Sequence, residues 1–205
     1  GVVNTGRMLL RPGTVLGTRL GSTDTVAHDN LALVSGAEIV NSGRWDLWGN
    51  IGDASGARFI NVGQIESRSG TENYVQVPFD NRGQVHVEAG TLRFKEVTQI
   101  SGGMLLGGEW TVDRLATLIF DEPIDTIKQG AVMTGSTTSI PALRGVRAVQ
   151  GSVQVDGDST FDGDLDVLDG GRLSSKGARV KTPRLRTFRG GGMSQFTGGN
   201  ALADP

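Results

Sequence analysis

Apolar and polar residues alternate with period two in short segments that recur at a fixed interval. Arg44-Trp45-Asp46-Leu47, Gln64-Ile65-Glu66-Ser67 and Gln84-Val85-His86-Val87 begin twenty residues apart. Such alternation predicts strands with one buried face. Each is preceded by Asn-x-Gly, at Asn41-Ser42-Gly43, Asn61-Val62-Gly63 and Asn81-Arg82-Gly83. Two positions before each Asn stands an apolar residue, Ile39, Phe59 or Phe79, and a second glycine closes each unit at Gly49, Gly70 or Gly90. Asn and Gly both tolerate positive φ, so Asn-x-Gly reads as a bend. Strand, bend, strand, bend over twenty residues is one turn of a β-solenoid, with equivalent residues stacked about 4.8 Å apart. Asn41, Asn61 and Asn81 then form an internal amide ladder, with Gly43, Gly63 and Gly83 at its corners. Trp45, Ile65 and Val85 form an apolar ladder, and Ser67 breaks a second one between Leu47 and Val87.

The pattern returns less regularly. Gly83-Gln-Val85-His-Val87-Glu-Ala-Gly90-Thr-Leu92 compares with Gly163-Asp-Leu165-Asp-Val167-Leu-Asp-Gly170-Gly-Arg-Leu173, and Gly151-Ser-Val153-Gln-Val155-Asp-Gly157 repeats its core. Between them, Thr117 to Phe120, Thr126 to Gly130 and Ala131 to Met133 read as short strands. The stretch 110–120 is rich in Thr and Val and lies between glycines and Pro123, which favours strand over helix. The expectation is an all-β, parallel β-solenoid with roughly ten turns and a length on the order of 50 Å. An antiparallel β-sandwich is the alternative, since it too has short strands with frequent turn signals. Residues 1–190 are read as the solenoid domain, with 1–30 a candidate cap, and 191–205 as a glycine-rich tail or linker.

Phe59-Ile-Asn-Val-Gly63 and Phe79-Asp-Asn-Arg-Gly83-Gln-Val-His-Val-Glu-Ala-Gly90-Thr-Leu92 resemble the F-x-N-x-G…G-T-L repeat of bacterial autotransporter passengers and related adhesin-like proteins. The resemblance covers residues 39–94 well and 151–173 loosely. It implies a right-handed parallel β-helix, exported and used for surface display or adhesion. It says little about activity, because β-helices carry adhesins, stalks, lyases and tail spikes alike. No β-barrel translocator follows, so the resemblance implies at most a passenger fragment or a relative.

Composition narrows the function classes. The 205 residues include 32 glycines without a Gly-X-Y period, which excludes collagen, and the net charge of −2 argues against nucleic acid as partner. No apolar run is long enough for a membrane span. The chain opens at Gly1 without a charged-then-apolar leader, and reads as a mature product or excised domain. The absence of cysteine removes disulfides and thiolate metal sites.

Candidate chemistry gathers in two blocks. Residues 151–169 hold Asp156, Asp158, Asp162, Asp164, Asp166 and Asp169 with no Lys or Arg. With Leu165 and Val167 inward, Asp162, Asp164 and Asp166 share an outer face at about 7 Å intervals. That face suits glycan contact, a carboxylate pair for glycoside hydrolysis, or calcium, which needs several oxygen ligands. Asp166-Val-Leu-Asp-Gly-Gly171 superficially resembles an RTX-type calcium nonapeptide, but Leu173 and Ser175 break the register. Residues 170–190 reverse the sign with Arg172, Lys176, Arg179, Lys181, Arg184, Arg186 and Arg189. The two blocks are expected to face each other on adjacent turns or between subunits. His28 and His86 sit in no hydrolase motif, so no catalytic or metal residue is assigned. Trp45 is expected inward and Trp48 at the surface, with Trp110 the third tryptophan.

The expected function is non-enzymatic: a structural or adhesive module of an extracellular or cell-surface assembly. It self-associates, docks a neighbouring repeat module or binds surface glycans, and needs no cofactor. The alternative is a polysaccharide-active or tail-spike-like β-helix using the outward aspartates.

Overall fold

The computed structural model describes residues 31, 33, 35–52 and 55–188. It also describes the backbones of the strands Val2–Asn4, Arg7–Leu9, Asn30–Leu31, Met193–Thr197 and Ala201–Ala203. The fold is a parallel β-solenoid. Each regular coil lays down three short strands: Glu38–Asn41, Arg44–Leu47 and Asn50–Ile51, then Arg58–Asn61, Gln64–Ser67 and Glu72–Val75, then Phe79–Asn81, Gln84–Val87 and Thr91–Phe94. Strands at the same position pair in parallel, so that Ile39, Phe59 and Phe79 stack, as do Trp45, Ile65 and Val85. Ile100–Ser101 with Met104–Leu105 is the one antiparallel pair among the described strands, which overturns the sandwich alternative.

The three positions generate three faces. The second is a single sheet of nine strands from Arg7–Leu9 to Met193–Thr197. Nine strands span eight steps of about 4.8 Å, roughly 38 Å, fewer and shorter than the ten turns expected. The repeat stays close to twenty residues per coil but is longer in places. Gln84 is bonded to Glu109, 25 residues on, because the hairpin Ile100–Ser101/Met104–Leu105 lengthens that coil.

The other faces are interrupted. On the first, the four-stranded sheet ends at Phe79–Asn81, and the hairpin opens the next, six-stranded sheet. Gln99 bridges the break: its Oε1 accepts from the Asn81 N–H at 3.0 Å and its Nε2 donates to Asp80 Oδ1. On the third, the five-stranded sheet ends at Thr117–Phe120, and a three-stranded sheet begins at Ser159–Thr160. A 3-10 helix at Pro141–Gly145 lies between them in sequence. Buried hydroxyls link the pieces. Ser159 Oγ accepts from the Thr137 N–H, and Thr137 Oγ1 from the Thr160 N–H, both at 3.0 Å.

Aromatic rings fill the first half of the core. Trp45, Phe59, Phe79, Phe94, Trp110 and Phe120 form a chain of ring contacts with successive centroids 4.5–5.5 Å apart, a spacing that favours tilted and edge-on pairs. From Met133 onward the core is mainly aliphatic, through Val153, Leu165, Val167 and Leu173, with Phe161 a later ring.

Met193–Thr197 and Ala201–Ala203 pair in parallel with Arg172–Lys176 and Val180–Thr182 on the second and third faces, and the rest of 189–205 lies outside the described residues. Within the candidate cap, Val2–Asn4 and Arg7–Leu9 pair in parallel with residues 39–41 and 44–46. The remainder of 1–30, including His28, lies outside the described residues apart from Asn30.

Candidate functional site

The asparagine ladder is internal. Asn41, Asn61 and Asn81 are fully buried. The Asn41 amide donates to Asn61 Oδ1 and the Asn61 amide to Asn81 Oδ1, both at 2.8 Å. The same amides also donate to the carbonyls of Gln64, Gln84 and Glu109 across the corner. The ladder satisfies backbone carbonyls where the first face turns into the second, and none of it faces solvent. The corner glycines have a different reason from the one expected. Gly63 and Gly83 do not have positive φ. A Cβ on either would stand 2.1 Å from the carbonyl oxygen of the glycine one coil below, so close stacking of coils demands them. Ser67 stays in register between Leu47 and Val87, buried, with Asn73 Nδ2 at 3.4 Å from its hydroxyl.

Outward on the second face runs a ladder of charge. Arg44 bridges Asp46, at 3.0 Å, and Glu66. Arg68 bridges Glu66 and Glu88, the latter at 2.8 Å. His86 stands 3.0 Å from Asp113 and 3.8 Å from Glu88. Asp46 and Glu66 are adjacent register partners and both buried, which is tolerable only because each carboxylate meets a guanidinium. The hydrogen bond from Arg68 holds the Glu88 carboxyl below the usual carboxylate range, against a smaller opposing push from burial. Alternating signs up the stack clamp consecutive coils together.

The expected aspartate face is divided. Asp162 is exposed and 3.2 Å from Arg144 on the coil below. Asp166 lies in the strand Leu165–Val167 and is held bidentately by Arg186 on the coil above, at 2.6 and 2.8 Å. The acidic and basic blocks thus meet on adjacent coils at this pair. Asp164, half-buried, makes no hydrogen bond or ion pair among the described residues. Nor do three Asp, Glu or His side chains converge among them as a metal would need.

Asp162 and Asp164 instead line one side of a surface cleft of about 510 Å³, with Thr160 and Phe161. Lys181, Thr182, Pro183 and Arg184 form the other side. The cleft lies at the corner between the third and first faces, where residues 161–164 of one coil sit beside 181–184 of the next. The Leu165 N–H bonds to the Arg184 carbonyl at 2.8 Å and the Thr182 hydroxyl donates to the Gly163 carbonyl at 2.8 Å, which fixes the walls. Lys181 and Arg184 are exposed, and neither side chain is in an ion pair among the described residues. The cleft can therefore offer two cations and one carboxylate acceptor to a ligand.

One sequence comparison was out of phase. Gly163-Asp-Leu165-Asp-Val167 reads like the segment around Val85, but Val167 stacks on Val149 in the first-face sheet. Val153 and Leu173 occupy the second-face position. Alternating apolar residues mark a strand without marking which face it joins. Trp45 and Trp110 are buried and Trp48 is exposed at a corner. Two features gave no sequence signal: the 3-10 helix, and the buried Ser136, Thr137, Ser139 and Ser159 cluster beside it. Ser and Thr in a loop ordinarily read as solvated. No protein-family model, curated protein or solved structure matches the chain.

Proposed function

We propose that the chain is a stiff, non-enzymatic structural and adhesive module of an extracellular or cell-surface assembly, one that self-associates and contacts surface glycans through its outer faces. The observation that carries this is the uninterrupted nine-stranded second face, packed on a continuous aromatic and aliphatic core. Such a column holds outward side chains in fixed rows and resists bending. Among the described residues the end strands of the second face, Arg7–Leu9 and Met193–Thr197, pair on one side only, and an unpaired parallel edge accepts another strand. The F-x-N-x-G resemblance to autotransporter passengers and adhesin-like proteins supports the same reading.

The test is molar mass by light scattering at low and high salt, with electron micrographs of the same sample. Rods or filaments whose length grows with concentration are expected. A monomer at every concentration and salt would contradict self-association. Salt dependence separates two modes: charge-block contacts dissociate, whereas strand-edge pairing persists.

A second reading, a polysaccharide-active enzyme, is favoured by one feature, the presence of Asp162 and Asp164 in the cleft. It predicts cleavage of acidic polysaccharides that is abolished by Asp164→Asn, and it fails if wild-type protein leaves the chain length of such substrates unchanged.

A further inference from the structure

We propose that the cleft between residues 161–164 and 181–184 is a binding site for an acidic glycan. Lys181 and Arg184 hold its carboxylate or sulfate group, and Asp164 accepts hydrogen bonds from its ring hydroxyls. The inference rests on the adhesive part of the function proposed above and gives it a location and a ligand class.

Three observations converge. At about 510 Å³, the cleft falls within the roughly 300–1,000 Å³ range of small-ligand sites. Its charges are unequally spent: Arg144 balances Asp162, which leaves Asp164 against Lys181 and Arg184, one net positive charge. A cation such as calcium is disfavoured by that balance, and an anionic group is drawn to it. The positive wall is also built for oxyanions, because a guanidinium presents parallel N–H donors that match carboxylate and sulfate geometry while the ammonium adds a compact charge. Asp164 adds what a simple anion site would lack. A carboxylate beside two cations weakens the binding of a bare ion, but it suits a ligand that carries hydroxyl donors next to its acid group. The walls belong to adjacent coils and are tied by the Leu165–Arg184 and Thr182–Gly163 hydrogen bonds, so the backbone that carries the cleft's side chains is held in place.

The experiment measures binding by calorimetry to four probes: a uronic-acid tetrasaccharide, a sulfated tetrasaccharide without uronate, a neutral tetrasaccharide and inorganic sulfate. Binding of either acidic tetrasaccharide with no binding of the neutral one is expected, and which acidic probe binds identifies the acid group. Lys181→Ala/Arg184→Ala should weaken that binding roughly tenfold or more. Asp164→Asn should weaken oligosaccharide binding several-fold while leaving inorganic sulfate equal or tighter. The control Lys176→Ala/Arg179→Ala removes the same charge from exposed positions outside the cleft and should change affinity little. All five positions are at the surface or half-buried, and circular dichroism verifies folding. Equal loss in the control pair would overturn the proposal in favour of diffuse electrostatics. So would tighter oligosaccharide binding by Asp164→Asn, or equal binding of the neutral probe. Rods without cleft binding would sink this inference and leave the structural reading standing; monomers that bind the acidic probe would do the reverse.

Discussion

Asn61 sits at the centre of the amide ladder, giving to Asn81 and the Gln84 carbonyl and receiving from Asn41. Asn61→Ala strips those partners in a site with no water access, and should cost about 2–4 kcal/mol in urea denaturation. The glycines separate two mechanisms. Gly83→Ala puts a Cβ 2.1 Å from the Gly63 carbonyl, so neighbouring coils must part; a loss of about 3 kcal/mol or more is expected. Gly36 has φ +71° and open space around its Cβ position, so Gly36→Ala should cost only the left-handed backbone penalty, roughly 1 kcal/mol. Equal losses in the two variants would contradict stacking as the reason for Gly83. The ladder itself was legible, because an amide recurring every twenty residues inside apolar strands has few other uses. The glycine's role was not: a close approach between coils is a contact across sequence, and local reading supplied only φ.

At the element scale, side chains supplement backbone bonds where a face is interrupted, as Gln99 does beside the Phe79–Val97 bridge. Ser159 Oγ accepts from the Thr137 N–H at 3.0 Å and donates to the Gly157 carbonyl at 2.9 Å. Ser159→Ala orphans both buried groups and should cost about 1–2 kcal/mol, read by chemical denaturation and by faster amide exchange at Thr137. Just before Ser159, Asp156 keeps its Oδ1 buried without a hydrogen-bond partner among the described residues. Burial pushes its carboxyl above the ordinary 3.8, with Asp113 adding to the rise and a backbone hydrogen bond and Arg114 opposing it. A carboxyl raised on folding contributes fully below its unfolded pKa, and that contribution is lost as pH rises through the folded value. Asp156→Asn should therefore raise the melting midpoint at pH 7, with the gain vanishing below about pH 3.8. A variant less stable than wild type at pH 7 would contradict this. These elements escaped sequence reading because the hairpin inserts residues into its coil and the 3-10 helix has no period-two alternation, which lapses where hydroxyls and the Gln99 amide supplement backbone partners.

Over the whole molecule, one face runs unbroken while the other two are spliced, so the second face is the spine on which coils of unequal length keep register. Its outer charge ladder and its inner rings bind the same neighbours from opposite sides. The solenoid was legible from three matched units. The number of coils was not, since Arg7 pairs with Arg44, 37 residues on, and the inserted hairpin stretches the step from Gln84 to Glu109 to 25; the cleft was visible only as two blocks of opposite sign until the coils brought 161–164 beside 181–184. The most direct test of in-register parallel stacking uses the column Gln84, Glu109, Val132, Ser152 and Arg172. Because the chain has no cysteine, Gln84→Cys/Arg172→Cys carries two unique spin labels. Four steps along the column predict a narrow distance distribution centred within several ångströms of about 19 Å. A broad distribution, or a mean beyond roughly 30 Å, would contradict the stacked solenoid.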